Sequence, residues 1–423
     1  MNKNFFRVIW SAARAMRVVV HEAAATTGKG SSKATSITKG ALAGAAAFAP
    51  MFMGAALAGL LTAPYAQAQI VANPMAPNGM RPTILVAPNG IPAINITTPS
   101  AAGVSRNQYL QFDVNGRGVV VNNSRTNVQS GIGGWINGNP YLATGPARVI
   151  LNEVYSSNPS YINGPVEIAG QRAEFILANP AGIAVSGGTF INSSRVTLTT
   201  GTPQFNAFGG LDSYVVRGGT VSVNGAGLDL SRTDYAAILA RAVQVNAAIH
   251  ASDLKVVTGA NTISADHANV TPTTGTGSTP TFALDVSQLG GMFANHIFLV
   301  GTEAGLGVRN AGSIGASNGN LIVTSAGRLE NTGTLEGTRL ELASAGDIDN
   351  RGGTIRQTSS VGLAITAPVL SNTNGGVIGA EPAPAPATTG TTGSTSTGTG
   401  TGAAGTGTTT TGTTSGTSAA ASP

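Results

Sequence analysis

YLQFDVNGRGVVVNNS, Tyr109 to Ser124, and AEFILANPAGIAVSGGTFINSSRVTLTTG, Ala173 to Gly201, share one pattern that organises the chain from about Tyr109 to Phe205. Short apolar runs end abruptly in turn formers: Val119-Val120-Val121 lies between Gly118 and Asn122, and Phe175-Ile176-Leu177 stops at Asn179-Pro180. Ala184-Val185 stops at Gly187-Gly188, and Val196 to Thr200 at Gly201. Runs rich in β-branched residues and bounded by Gly, Asn and Pro predict short strands. No run here keeps helical spacing long enough to compete.

The composition fits many short strands around a narrow interior. Gly makes up 58 of 423 residues, about twice its usual share. Aromatics are 5%, so the apolar side is mostly Ala, Val, Ile and Leu. The formal charge of +5 is unevenly placed. Residues 1–68 hold seven Lys or Arg against one Glu, whereas residues 69–423 hold 16 basic and 17 acidic side chains. The mature part therefore lacks the basic surface that nucleic-acid binding needs. There is no Cys, which removes disulfides and thiolate metal sites. His21, His250, His267 and His296 have no ligand spacing, and no metal or cofactor is expected.

The first 68 residues read as a delivery segment. Met1 to Arg17 is basic, Gly40 to Leu61 is nearly all apolar, and Ala66-Gln67-Ala68 follows. That order is a secretory signal, predicting Sec export and signal-peptidase cleavage after Ala68. The apolar stretch is also long enough for a retained anchor, but Pro50 and several Gly make it a poor span. From Gln69 to Arg106 the chain is Pro-rich, with brief strands expected at Ile84-Leu85-Val86 and Ile94-Asn95-Ile96. It is read as a cap, because an uncapped solenoid exposes its core and strand edges.

After Gly305 a period emerges. Asn310-Ala-Gly312-Ser-Ile314 is echoed by Asn331-Thr-Gly333-Thr-Leu335, by Asn350-Arg-Gly352-Gly-Thr-Ile355, and more weakly by Asn372 to Ile378. Between the copies lie LIVTSAG and LELASAG. A period near 20 residues suits one turn of a β-helix better than a helical or leucine-rich repeat. After the alternating Pro/Ala run Pro382 to Pro386, Thr388 to Pro423 is Thr, Gly, Ser and Ala with no charge and no large side chain but the final Pro, which predicts disorder.

Two parts of the chain resemble known families. MNKNFFRVIW followed by VVVHEAA resembles the extended signal peptide region of large Gram-negative exoproteins, mainly autotransporters and two-partner secretion substrates. The run from Gly116 to Thr200 resembles the secretion domain of two-partner exoproteins, among them filamentous haemagglutinins and contact-dependent inhibition proteins. Its two Asn-Pro motifs are matched by Asn139-Pro140-Tyr141-Leu142, where Tyr141 departs from the usual Asn, and by Asn179-Pro180-Ala181-Gly182-Ile183. Gly225 to Asn261 and Phe282 to Gly312 resemble later parts of the same domain. The resemblance implies an all-β, right-handed parallel β-helix with an N-terminal cap. It makes Ala242 to Asn246 a strand and YAAILA before it a turn or brief helix. It also implies recognition of the motifs by an outer-membrane transporter with periplasmic POTRA domains, and an adhesin role toward a ligand on a host or neighbouring cell.

The domains expected are residues 1–68, extended signal peptide; 69–316, secretion domain; 317–379, haemagglutinin-type repeats; and 380–423, disordered tail. Within the motifs, Asn caps its own turn, Pro fixes φ, Gly182 supplies a positive φ if one is needed, and Ile183 returns to the core. Such turns would set corners between rungs. Arg117, Arg125, Arg148, Arg172 and Arg195, interleaved with Glu153, Glu167 and Glu174, read as a solvated face of weak pairs. His250 and His267 read as loop residues, Met292 and Phe293 as core, and Thr271 to Thr281 as a loop tolerant of length change. No carboxylate pair, GxSxG or HExxH marks an enzyme. The rival readings are a contact-dependent inhibition protein that has lost its toxic end, and a β-helical polysaccharide lyase. The scattered acids and aromatics argue against the lyase.

Overall fold

The computed structural model describes residues 6–11, 16–21, 70–359 and 362–380. The chain divides into two units, Met1–Thr62 and Ala63–Pro423. In the first, Phe6–Ser11 pairs antiparallel with Met16–His21. The expected cleavage residues Ala66 and Ala68, the apolar run before them and the tail after Ala380 lie outside the described residues.

The second unit is a parallel β-helix whose coils each contribute strands to three faces. One coil runs through Pro165–Gly170, Ala173–Ala178 and Ile183–Val185, and each strand pairs in parallel with its counterpart one coil later. The third face alone stacks nine strands, from Ser160–Ile162 to Leu370–Thr373. The other two faces join into one large sheet because strands such as Ser313–Ser325 turn the corner without a break. Parallel pairing needs a return path for every strand, and the third face supplies it. Among the described residues, a single 3-10 turn, Pro140–Leu142, interrupts the β structure.

The cap forms as its composition predicts. Thr83–Val86 pairs antiparallel with Pro92–Asn95, and Ile70–Ala72 with Val104–Phe112. Pro92–Asn95 then pairs in parallel with Val119–Asn123 and hands the direction over to the coil.

Three cores result. The main one runs the length of the coil and is aromatic at its start. Tyr109, Phe112, Phe175 and Phe190 pack edge-on or tilted in a row with centroids 5.0, 6.2 and 5.3 Å apart. Farther along it is filled by Leu321, Val323, Leu340, Leu342, Ile348 and Ile355. The second core lies under a lateral antiparallel sheet made of Thr202–Phe205, Leu211–Val216, Asn261–Ser264 and Val270–Pro272. There Tyr214, Val216 and Ile263 pack on the outer sides of Leu151, Ile176, Leu239 and Val257. The third lies under the hairpin Val128–Ser130/Gly134–Ile136, where Ile136 covers Ala93, Val120 and Ala169.

This double coverage explains the unbroken apolar runs. Val119–Asn123 is buried at every position because both of its sides are covered, as in sheets packed on both faces. It also corrects the reading of YAAILA, which is the strand Tyr235–Ala240 and neither turn nor helix. Ala236, Ile238 and Ala240 face the main core while Ala237 and Leu239 face the lateral sheet. A strand buried on both sides loses the alternation that would distinguish it from a helix.

Candidate functional site

Both Asn-Pro motifs are built on the same local device. Asn179 is fully buried, and its Oδ1 accepts from the Ala181 N–H at 2.9 Å, closing an Asx turn. Its Nδ2 donates to the Asn158 carbonyl and the Ser160 Oγ, both at 3.0 Å. Gly182 has φ 121°, where a side chain would be strained and its Cβ would meet the Thr220 carbonyl at 3.0 Å. Ile183 returns to the core. The turn links Ala173–Ala178 to Ile183–Val185, so it sets a corner between two faces of one coil.

The first motif differs. Asn139 is also buried, and its Oδ1 accepts from the Tyr141 N–H at 3.0 Å. Its Nδ2 donates to the Ile96 carbonyl at 2.9 Å and the Asn122 carbonyl at 3.1 Å. It caps the 3-10 turn Pro140–Leu142 within the excursion between Asn123 and Val149, tying cap to first coil; it does not form a corner between rungs. Leu142 is buried, while Tyr141 is exposed and shares a hydrogen bond of 2.9 Å with the Thr83 Oγ1.

In both motifs the Asn is fixed inside, and a residue shortly after it, Tyr141 two places on or Pro180 one place on, borders an open cleft. Tyr141 borders a cleft of about 540 Å³ lined by Ile70, Val71, Arg81, Thr83 and Ile84. Pro180 borders one of about 530 Å³ lined by Thr200, Thr202, Gln204, Val215 and Arg217.

The acidic residues read as a solvated face are mostly anchors. Glu167 is buried and accepts from the Ser130 Oγ and the Gly131 N–H at 2.7 Å and the Ile132 N–H at 2.8 Å. It holds the hairpin on the coil. Glu153 is buried and takes a bidentate hydrogen bond from Arg106 at 3.0 and 3.1 Å, while the Arg106 guanidinium sits 3.7 Å from the Phe205 ring centre. Glu174 lies 3.9 Å from Arg195, and burial raises its carboxyl above the usual range against the pull of that cation. The excursions fold back and exclude water, which spacing along the chain does not reveal. Arg172 pairs with Asp234 in the open, as such spacing suggests.

Sequence reasoning missed the strongest anchor. Arg241 donates to both Glu303 oxygens at 2.9 and 2.6 Å, and to the Thr276 and Ser278 carbonyls at 2.7 and 3.3 Å. The Arg241 hydrogen bond holds the Glu303 carboxyl below its usual range although partial burial pulls the other way. The Thr271 to Thr281 segment is thus pinned at its middle. The signal was a lone Arg inside an apolar strand run. Two further corrections concern rings. His250 lies on the strand Ala248–Ala251, stacked 5.4 Å from Phe293, which is 38% exposed, while Met292 alone is core. His267 is buried. Among the described residues, no group of three or more His, Asp or Glu could hold a metal ion.

The profile of the TPS secretion domain matches residues 68–331. The chain belongs to the two-partner secretion exoproteins. The profile of the Extended Signal Peptide of Type V secretion system matches residues 1–50, and the protein is secreted or displayed on the surface of a Gram-negative cell. The solved filamentous hemagglutinin secretion domain aligns with a TM-score of 0.56 and 31% identity, covering 74% of this chain and 99% of that one. Toxin CdiA of Yersinia pestis is 44% identical over 354 residues, which cover 83% of this chain and 11% of that protein. The tRNA nuclease CdiA-2 of Burkholderia pseudomallei (strain 1026b) is 45% identical over 331 residues, 78% of this chain and 10% of that protein. The chain spans about a tenth of the length of these relatives.

Proposed function

We propose that the capped first coils are what an outer-membrane two-partner transporter recognises through its periplasmic POTRA domains, and that the two Asn-Pro turns form part of the contact. The supporting observation is their shared construction. Each buried Asn fixes a turn from inside, and each turn presents one residue, Tyr141 or Pro180, to an open cleft. A rigid turn at a cleft suits recognition because little entropy is lost on docking. In this reading the leader is removed by signal peptidase after Ala68 in the Sec pathway. The folded part divides into a secretion domain to about residue 316 and repeats to about residue 379, and residues 380–423 form a disordered tail. The solenoid is a non-catalytic scaffold, and the exported protein acts as an adhesin on a host or neighbouring cell.

The test is co-expression with a two-partner transporter, comparing wild type with an N179A/P180A double variant. The expected outcome is wild-type protein in the medium beginning at Gln69, and the variant retained in the periplasm with its protease-resistant core intact. Normal release of the variant refutes the motif's role, and released protein beginning at Met1 refutes cleavage. A second reading, a part in contact-dependent growth inhibition, is favoured by the identity to Toxin CdiA. An adjacent immunity gene, and protection of a neighbouring cell that carries it, would select that reading over adhesion.

A further inference from the structure

The lateral sheet is fastened to the coil by an unusual turn. Between Asn261–Ser264 and Val270–Pro272 the chain reverses at His267, whose φ of 63° lies in the left-handed region. The side chain is 1% exposed and points into the seam between lateral sheet and coil. Its ring lies 5.7 Å from Tyr214 of the lateral sheet and 5.8 Å from Tyr235 of the coil, stacked at 30° on the latter. Neither ring nitrogen has a hydrogen-bond partner. The Lys255 ammonium donates to the His267 carbonyl at 2.5 Å, and the Arg195 guanidinium sits 4.9 Å from the centre of the Tyr235 ring. A histidine kept with two orphan nitrogens, a left-handed backbone and two cations nearby is costly, and an apolar residue would fill the seam without the orphan nitrogens.

We propose that the His267 turn is an acid-operated latch, holding the Asn261–Pro272 edge of the lateral sheet on the coil while the imidazole is neutral and letting it lift once the ring is protonated. Every element packed around the ring contributes to this behaviour. Tyr214 comes from Leu211–Val216 and Tyr235 from Tyr235–Ala240, and each offers an aromatic face. Arg195 from Ser193–Thr199 and Lys255 from Asp253–Thr258 offer positive charge. The acids are Glu174 on Ala173–Ala178, paired to Arg195; Asp253, beside Tyr235; and Asp266, on the turn itself and bonded to the Ser264 hydroxyl and the Ala268 N–H. Asp212 belongs to the adjoining strand, whose carbonyl accepts from the Ala265 N–H.

The sign follows from these neighbours. Burial, then Arg195 and Lys255, hold the imidazole down at about 3, well below its ordinary 6.5. An opened turn therefore binds a proton that the closed one rejects, and opening gains as pH falls from 6.5 toward 3. Asp266 works in the same direction, because its carboxyl is held low by the Ser264 and Ala268 hydrogen bonds that opening breaks. Glu174 works against it: its buried carboxyl is raised, so acid relieves a charge in the closed state. Burial raises both tyrosine hydroxyls, so they stay protonated throughout this range.

Hydrogen exchange of the full chain, corrected for intrinsic rates, tests the latch between pH 7.5 and 4.5. Protection of amides in 211–216 and 261–272 is expected to fall by up to about tenfold per pH unit below 6.5, the limit for one proton. Protection of 313–344 should hold. His267→Asn accepts the left-handed turn but cannot titrate, so its lateral sheet should lose the pH dependence. A flat wild-type profile overturns the latch, as does a fall that survives in His267→Asn. Should the Asn variant leave the edge unprotected at neutral pH, Lys255→Met decides, since it keeps the imidazole and removes a facing cation. Followed down to pH 3, its fall in protection must level off at a higher pH than in wild type, because the closed turn rejects the proton less, and an unmoved levelling-off overturns the latch.

Discussion

The coils before Asn310 and those after it are the same fold held together in opposite ways. In the early coils, apart from the two Asx turns, many buried polar groups bond far along the chain to varied partners. Asn123 joins Ala147 and Gln171, the Tyr109 hydroxyl donates to Asn152, and Arg241 reaches Glu303 across 62 residues. In the late coils one residue stacks on itself. Asn310 donates to Asn331 at 2.8 Å, Asn331 to Asn350 at 2.7 Å and Asn350 to Asn372 at 2.7 Å, at steps of 21, 19 and 22 residues. Each Nδ2 also reaches a carbonyl just past its own corner, as Asn331 does to Gly333. A ladder of identical rungs can be extended by adding copies. The early coils cannot be repeated, because each carries a different excursion and a different anchor.

The first way to break that contrast is at the aromatic start of the core. Phe175 is fully buried between Phe112 and Phe190, and Phe175→Ala should cost about 3–5 kcal/mol. Because the cap and the coils share this core, denaturant unfolding should lose early-coil and late-coil signals together. A variant that unfolds only beyond Asn310 would show that the early coils are not the stabilising end.

Asn331→Ala should cost less, about 2–4 kcal/mol. It deprives the Asn310 amide of an acceptor and the Asn350 Oδ1 of a donor in a buried corner. The loss should also be directional, since a coil depends only on its neighbours. Limited proteolysis of wild type should give a core reaching about Gly379, and the variant one ending near Ala316. An unchanged fragment would mean that the ladder merely fills its corner.

The sequence disclosed these two regions unequally, for a physical reason. In the late coils one side of each strand meets water, so LIVTS and LELAS alternate and the alternating positions are buried. Their Asn steps are visible as a period because the ladder requires identity. In the early coils the short strands and both Asx turns could be read from local chemistry. What Glu153, Glu167 and His267 do could not, because their bonding partners lie 12 to 47 residues away on segments that fold back. YAAILA was ambiguous for the same reason, being covered on both sides. Burial by a distant excursion leaves no periodic trace.

The smallest effect sharpens the comparison most. Three ion pairs of the late coils, Arg328 with Glu330, Arg339 with Glu341 and Arg351 with Asp349, each join residues two apart in the chain. Their arginine side chains are 58%, 54% and 60% exposed, against 6% for Arg241. An exposed pair gains little Coulomb energy over solvation by water, and salt screens what remains. Arg339→Ala should therefore shift the stability of the late coils by no more than about 1 kcal/mol, and by less as salt is raised. Truncating Arg241 strands the Glu303 carboxylate and frees the Thr276 and Ser278 carbonyls, so its cost should be several times larger and little affected by salt. Urea titrations of the two variants at low and high salt make the measurement. Equal costs would mean that the excursions, like the surface pairs, are ornaments on a coil that stands without them. Unequal costs would make the long-range anchors the reason the early coils hold a fixed, non-repeating shape.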